Sequence, residues 1–219
     1  MPRRTVFVCG HYGSGKTTFS LNLALRLTRE GQKVTLADLD VVNPYFRSSD
    51  YTALLESQGV RVIAPVFAGT TLDVPALSPR IGGAFDAEDG VILADAGGDD
   101  AGAAALGAWA ARLPATAYEM LYVINRYRGR IRRPEDAARI LREIEEKARL
   151  KATALVHNSH LAGLTAAEDV LMSLPYAEEV AGLTGLPIAY TAVPAALYAE
   201  LKEKAPNPFP VETIVKPNW

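Results

Sequence analysis

Gly10-His11-Tyr12-Gly13-Ser14-Gly15-Lys16-Thr17 is the stretch whose reading decides the fold. It matches G-x-x-x-x-G-K-[ST] at every fixed position, and its flanks supply the context that the motif requires. Upstream, Thr5–Cys9 is a short apolar run without polar alternation, as a strand buried on both faces reads. Downstream, Phe19, Leu23 and Leu27 recur at i, i+4 and i+8, with Gly31 as a stop, which reads as a helix packed on a sheet. Strand, loop and helix in that order make a phosphate-binding loop. Its glycines let backbone N–H groups turn inward around phosphate oxygens, and the helix N-terminus adds positive potential. Lys16 is placed to reach the β- and γ-phosphates, and the Thr17 hydroxyl to ligate Mg²⁺. His11, Tyr12, Gly13, Ser14 and the following Thr18 complete the candidate nucleotide-binding stretch.

Outward from the loop, Lys33–Ala37, Val60–Val66, Val91–Ala94, Met120–Ile124, Thr153–His157 and Ile188–Ala192 also read as strands. Helical segments alternate with them at Tyr45–Gln58, Ala101–Leu113, Pro134–Leu150, Ala166–Gly182 and Ala195–Ala205. The clearest is Pro134–Leu150, with Pro134, Glu135 and Asp136 in its first turn, Ile140, Leu141, Ile144 and Ala148 as a stripe, and Lys147 and Arg149 near its end. This βα alternation predicts a three-layer α/β fold with a doubly wound, mostly parallel sheet, in one domain over residues 1–219. Gly69–Gly90 is the longest poorly patterned stretch and reads as a mobile surface element, and Pro206–Pro210 as an extended terminus.

Composition narrows the function classes. Of 219 residues, 49% are hydrophobic and 22% charged, which argues against global disorder or a long coiled coil. A net charge of -2 offers no general attraction to nucleic acid or anionic membranes. The single cysteine excludes an intrachain disulfide framework and a multi-thiolate metal centre. The N-terminal apolar run is too short for a signal peptide and no stretch has the length of a membrane span, so a cytoplasmic location is expected.

Phosphoryl chemistry is catalysed mainly by positioning and charge neutralisation, so an acidic partner for the loop is required. Val91-Ile-Leu-Ala-Asp95-Ala-Gly-Gly98 ends an apolar strand in an aspartate, with glycines that allow close approach to the γ-phosphate. Lys33–Asp40 ends the strand after the loop helix in Asp38-Leu39-Asp40, followed by Asn43-Pro44. Asp95 is the first candidate for the metal, with Asp38 and Asp40 as further ones.

These motifs, in this order, resemble the MinD/ParA branch of the SIMIBI P-loop ATPases, and the likeness runs through nearly the whole chain. The resemblance implies bound ATP and Mg²⁺, slow hydrolysis, and a nucleotide-controlled interaction with a protein partner or with a second copy of the chain. It gives Asp40 the role of positioning the attacking water beside Lys16, and Asp95 a role on Mg²⁺. One departure stands out. The signature lysine that such proteins carry five residues before the loop lysine, and use to reach a partner's nucleotide across a dimer, is His11 here. A histidine could stand in only when protonated, a minority state at neutral pH for an ordinary pKa near ~6.5.

No Asn-Lys-x-Asp string for guanine recognition is present. Two strands end in asparagine, at Asn125 and Asn158. In the resembling ATPases a late-strand asparagine contacts adenine, and Asn158 is the better positional match. Val193-Pro194 resembles the family's last nucleotide-side loop, whose backbone borders the base. Five arginines crowd Arg126–Arg133 just past a strand end, a rim that suits an anionic substrate, a partner surface or nucleic-acid phosphates, or else pairs with Glu135, Glu143 and Glu145. His157 and His160 have the spacing of a metal pair without a third ligand, and Cys9 reads as a small buried side chain. The resulting expectation is an Mg-dependent ATPase switch. Its rivals are a small-molecule kinase that uses the arginine rim for an anionic acceptor, and an ATP sensor without turnover.

Overall fold

The computed structural model of the chain describes residues 4–40, 48–63, 90–98, 100–110 and 118–214. Its strands are β1 (Arg4–Gly10), β2 (Val34–Leu39), β3 (Arg61–Ile63), β4 (Val91–Ala96), β5 (Tyr118–Ile124), β6 (Ala154–His157), β7 (Ile188–Pro194) and β8 (Pro208–Val211). The helices are α1 (Lys16–Arg29), α2 (Thr52–Ser57), α3 (Asp100–Ala110), α4 (Pro134–Ala148), α5 (Ala167–Met172), α6 (Leu174–Thr184) and α7 (Tyr198–Leu201). All strand pairs are parallel, in the order β3-β2-β4-β1-β5-β6-β7-β8. After β1 the chain builds one flank with β2, β3 and β4, then crosses to the other with β5. The order therefore reverses at β1, and a ligand crevice opens at the carboxyl ends of β4, β1 and β5.

Period-two alternation explains the apolar strands. Val6 and Val8 of β1 pack on one face with Phe19, Leu23 and Leu27 of α1, while Phe7 and Cys9 pack on the other with Leu106, Ile140 and Leu141. Both faces are covered, so polar alternation has no place in the central strands. Phe7 and Phe19 are fully buried, and truncating either to alanine is expected to cost about 3–5 kcal/mol. In α4, Pro134 occupies the first turn with Glu135 and Asp136, Lys147 the last, and the buried stripe faces the sheet.

Three expectations change. The helix anticipated over 166–182 breaks at Ser173 into α5 and α6, because Pro175 lacks an N–H and is tolerated only in a first turn. The one anticipated over 195–205 is a 3₁₀ turn, Ala195–Leu197, followed by the single turn α7. The supposed extended terminus supplies β8. An edge strand pairs on one side only and so accommodates Pro208 and Pro210, and the Asn22 carboxamide exchanges two hydrogen bonds with the backbone of Glu212. In Tyr45–Gln58 the described part is a 3₁₀ turn, Ser48–Tyr51, leading into α2. Asn43, Pro44, residues 64–66 and 111–113, and all of Gly69–Gly90 except Gly90 lie outside the described residues.

Candidate functional site

Helix α1 starts directly from the loop. Gly15, at φ 91°, is its cap, and no acidic residue or side-chain cap occupies the first turn. Phe19 N–H is the donor that closes the first turn on Gly15 C=O, so the amides before it are left without intrahelical partners at the positive end of the helix. A side chain at position 15 would collide with the Asn158 carboxamide, so glycine is needed for space as well as for backbone conformation. Lys16 is buried, and its Nζ donates to the His11 carbonyl at 3.2 Å. Tyr12 projects from the loop with 58% of its surface exposed. Thr17 and Thr18 are half-buried on the first turn.

Strand register builds the acidic side. Asp38 of β2 lies opposite Asp95 of β4, and both are buried. Asp95 accepts hydrogen bonds from Ser20 Oγ, at 3.1 Å, and from the Thr17 hydroxyl. Burial, then the neighbouring Asp38 charge, pushes the Asp95 carboxyl up to about 7, against the pull of Lys16 and of the two hydroxyls. Asp40 N–H donates to Asp38 Oδ1 at 3.0 Å, which fixes the turn out of β2. Past β4 the backbone runs against the loop. A Cβ on Gly98 would stand 2.6 Å from Tyr12 N and 2.8 Å from Lys16 Nζ. Ser20 escaped the motif reading, although its i+4 spacing from Lys16 puts both on one helix face.

The opposite side comes from the loops after β5 and β6. Asn158 is buried, and its Nδ2 donates to the Ser14 carbonyl at 2.8 Å, so the residue anticipated at the base supports the loop from behind. Ser159 Oγ accepts from Arg126 N–H, and Arg126 Nη1 donates to the Met172 carbonyl. His157 and His160 diverge: His157 Nε2 lies 2.9 Å from Ser173 Oγ, while His160 Nδ1 accepts from Ala162 N–H. Burial takes each imidazole down to about 4. Among the described residues no cluster of three metal-ligating side chains forms. Burial, then Lys16 and Arg130, also lower the His11 pKa, so its ring is neutral at pH 7. Burial pushes the Cys9 thiol up to about 12, in keeping with packing rather than nucleophilic duty.

Of the arginine rim, Arg133 lies 3.5 Å from Glu135, whereas Glu143 and Glu145 pair with Arg139 and Lys151. Arg128, Arg130 and Arg132 are exposed and meet no carboxylate among the described residues. Val193 and Pro194 fall inside β7 rather than in a loop. Val193 is buried with Ala167, Val170 and Leu201, which leaves only its backbone to border a ligand.

The profile of the CobQ/CobB/MinD/ParA nucleotide binding domain matches residues 6–188. No curated protein matches the chain. Among solved structures, the Signal Recognition Particle 54 kDa protein from Aeropyrum pernix K1 in complex with GDP is similar at TM-score 0.59 and 19% identity, over 86% of this chain and 41% of that one. The cell division protein FtsY from Thermotoga maritima is similar at TM-score 0.55 and 21% identity, over 85% of this chain and 60% of that one. The signal recognition particle receptor FtsY from Elizabethkingia anophelis gives TM-score 0.55 and 21% identity, over 86% and 58%. At these identities the likeness shows the fold alone, and the chain spans between 41% and 60% of the length of these three structures. The profile covers most of the chain, so the protein belongs to the CobQ/CobB/MinD/ParA nucleotide-binding family.

Proposed function

We propose that this family member binds Mg-ATP and hydrolyses it slowly, as a switch that controls its interaction with a protein partner or a second copy of itself in the cytoplasm. The observation that carries the reading is the assembly of Lys16 and Thr17 at the start of α1 against Asp95 and Asp38 on adjacent strands. In this reading the backbone from Gly10 to Thr18 and the Lys16 ammonium hold the phosphates. Asp40, one residue past β2, orients the water that attacks the terminal phosphate.

The donor set suits a hard divalent cation. Thr17, Asp95 and, beside it, Asp38 offer only oxygen atoms, and Asp95 is already oriented by Ser20 and Thr17. Mg²⁺ bound there would neutralise charge on the phosphates. ATP is the proposed nucleotide because no guanine-reading string is present, although the Aeropyrum pernix neighbour was solved with GDP. Asn158 stays in the reading on the base side of the loop it supports, with the backbone of Val193 and Pro194 at the border of the base. No described helix is long and apolar enough to cross a membrane.

The test is hydrolysis of ATP and GTP by the full chain with Mg²⁺ and no added acceptor. The expected result is slow ATP turnover that Asp40→Ala lowers at least about tenfold while ATP affinity is kept, and nucleotide binding that Lys16→Ala abolishes. ADP release only when a small-molecule acceptor is added would favour a kinase. Preference for GTP would overturn the assignment of the base, and equal turnover in Asp40→Ala the assignment of that residue.

A further inference from the structure

We propose that Arg128 binds the terminal phosphate of the nucleotide held by its own chain's loop, supplying a positive charge from the β5–α4 connection. The inference rests on the nucleotide reading above and assigns a further group to the same site.

Arg128 lies against the phosphate loop. The Cδ, Nε and Cζ atoms of Arg128 lie 3.5–3.6 Å from the point where a Cβ on Gly13 would stand, so the guanidinium lies along the outer face of the phosphate loop. A glycine at 13 leaves that surface open. The connection that presents it is tied at several points. Arg126 N–H donates to Ser159 Oγ, Tyr127 N–H to Asn125 Oδ1, Arg128 N–H to Asn125 C=O, and Tyr127 OH to Asp169 C=O. A 3₁₀ turn, Gly129–Ile131, then buries Ile131 in the core. Arg128 is thus a side chain on an anchored turn.

Arg126 is engaged by the Met172 carbonyl and Arg133 by Glu135, but Arg128 meets no carboxylate among the described residues. Its charge is felt by His160, and those of Lys16 and Arg130 by His11. A cluster of cations around one loop, with the imidazoles between them neutral, is completed by an anion. The guanidinium fork matches phosphate oxygens in a way that a point charge does not. In phosphoryl transfer an arginine supplied in cis stabilises charge that develops on the transferring group.

The experiment measures Mg-ATP and Mg-ADP affinities and single-turnover hydrolysis on the full chain, at several protein concentrations, for wild type, Arg128→Ala, Arg128→Lys and, as a control, Arg132→Ala. For Arg128→Ala we expect ATP affinity to fall about tenfold, ADP affinity to stay within about twofold, and hydrolysis to fall about a hundredfold or more. Lysine should recover part of the ATP affinity and little of the rate, and Arg132→Ala should change neither. Per-chain rates should not depend on protein concentration. An unchanged ratio of ATP to ADP affinity with an unchanged rate would overturn the proposal, as would an equal loss for both nucleotides, which marks a merely structural role. A rate that rises steeply with concentration and is rescued by mixing Arg128→Ala with Lys16→Ala chains would move the arginine to a partner's site and overturn the cis assignment. If the wild type binds no nucleotide, the reading of the site fails as well. If it does bind, and Lys16→Ala abolishes that binding while Arg128→Ala gives one of the overturning outcomes, only the role of Arg128 fails.

Discussion

The two walls of the phosphate loop are built differently. On one side, Asp38 and Asp95 sit on paired strands, their separation set by sheet register, with Ser20 and Thr17 brought to them by a helix packed on the same sheet. On the other, Asn158, Ser159, His160, Arg126 and Arg128 sit on connections; the first four side chains each share a hydrogen bond with backbone, and Arg128 is held through its own N–H on Asn125 C=O. Strand-borne groups move only if the sheet moves, whereas loop-borne groups move when the hydrogen bonds that tie their connection exchange. The first wall therefore suits the charge neutralisation that must be preorganised, and the second suits what changes with nucleotide state.

The harshest way to break that contrast is to crowd the acidic wall where the chain leaves β4. Gly98→Val would drive a branched side chain into the Tyr12 backbone, which cannot give way without displacing the loop, and against Lys16 Nζ. We expect nucleotide binding to be lost in a chain that still folds. The contrasting change is Gly163→Val in the connection after β6, where nothing lies within 4 Å of a Cβ and binding should be unaffected. Calorimetric titration checks both, and near-normal affinity in Gly98→Val would remove the claim that this wall is rigid.

A gentler probe, at the end of β6 next to the loop-borne wall, works through acid. The His157 imidazole is held neutral down to about pH 4 in the folded chain, whereas an unfolded histidine takes up its proton near ~6.5. Between those values the unfolded state binds more protons, so the stability that this group contributes is whole above ~6.5 and drains away as pH falls toward 4. The loss approaches roughly 3 kcal/mol at the lower end. His157→Gln, which keeps a polar partner for Ser173 without titrating, should flatten part of the fall in Tm between pH 7 and pH 4. An identical slope in wild type and variant would show that the ring is not held neutral.

How far the two walls were legible in the sequence follows from the same contrast. The phosphate loop, the strand before it and Asp95 could be read because their spacing is local and their periodicity is dictated by burial on both faces. Asp38 and Asp95 were each visible as strand ends, but that they face each other depends on β2 pairing with β4, which is strand order rather than pattern. Arg128 against Gly13 needs β5 beside β1, and Asn158 under Ser14 needs β6 beside β5; neither neighbour relation is encoded in local spacing. The break at Ser173 is signalled by Pro175, which a first turn tolerates and a helix interior does not. β8 was hidden because Pro208 and Pro210 mask its pairing capacity until an edge position is known.

The smallest effect is the sharpest test of the strand-borne wall. Ser20 Oγ donates to Asp95 Oδ1, both groups are buried, and no motif names Ser20. Ser20→Ala removes one of the two hydroxyls that orient the carboxylate and leaves Thr17 to do so alone. The lost bond should lower stability by about 1–2 kcal/mol, at the low end for a hydrogen bond to a carboxylate because Thr17 persists. If Asp95 serves the cation as proposed, the Mg²⁺ concentration that half-saturates hydrolysis should rise about tenfold while the rate at saturating Mg²⁺ is nearly kept. A fall in Tm without any change in the Mg²⁺ requirement would mean that Ser20 merely satisfies a buried acid. A change in both ties the packing of α1 on the sheet to the orientation of the carboxylate.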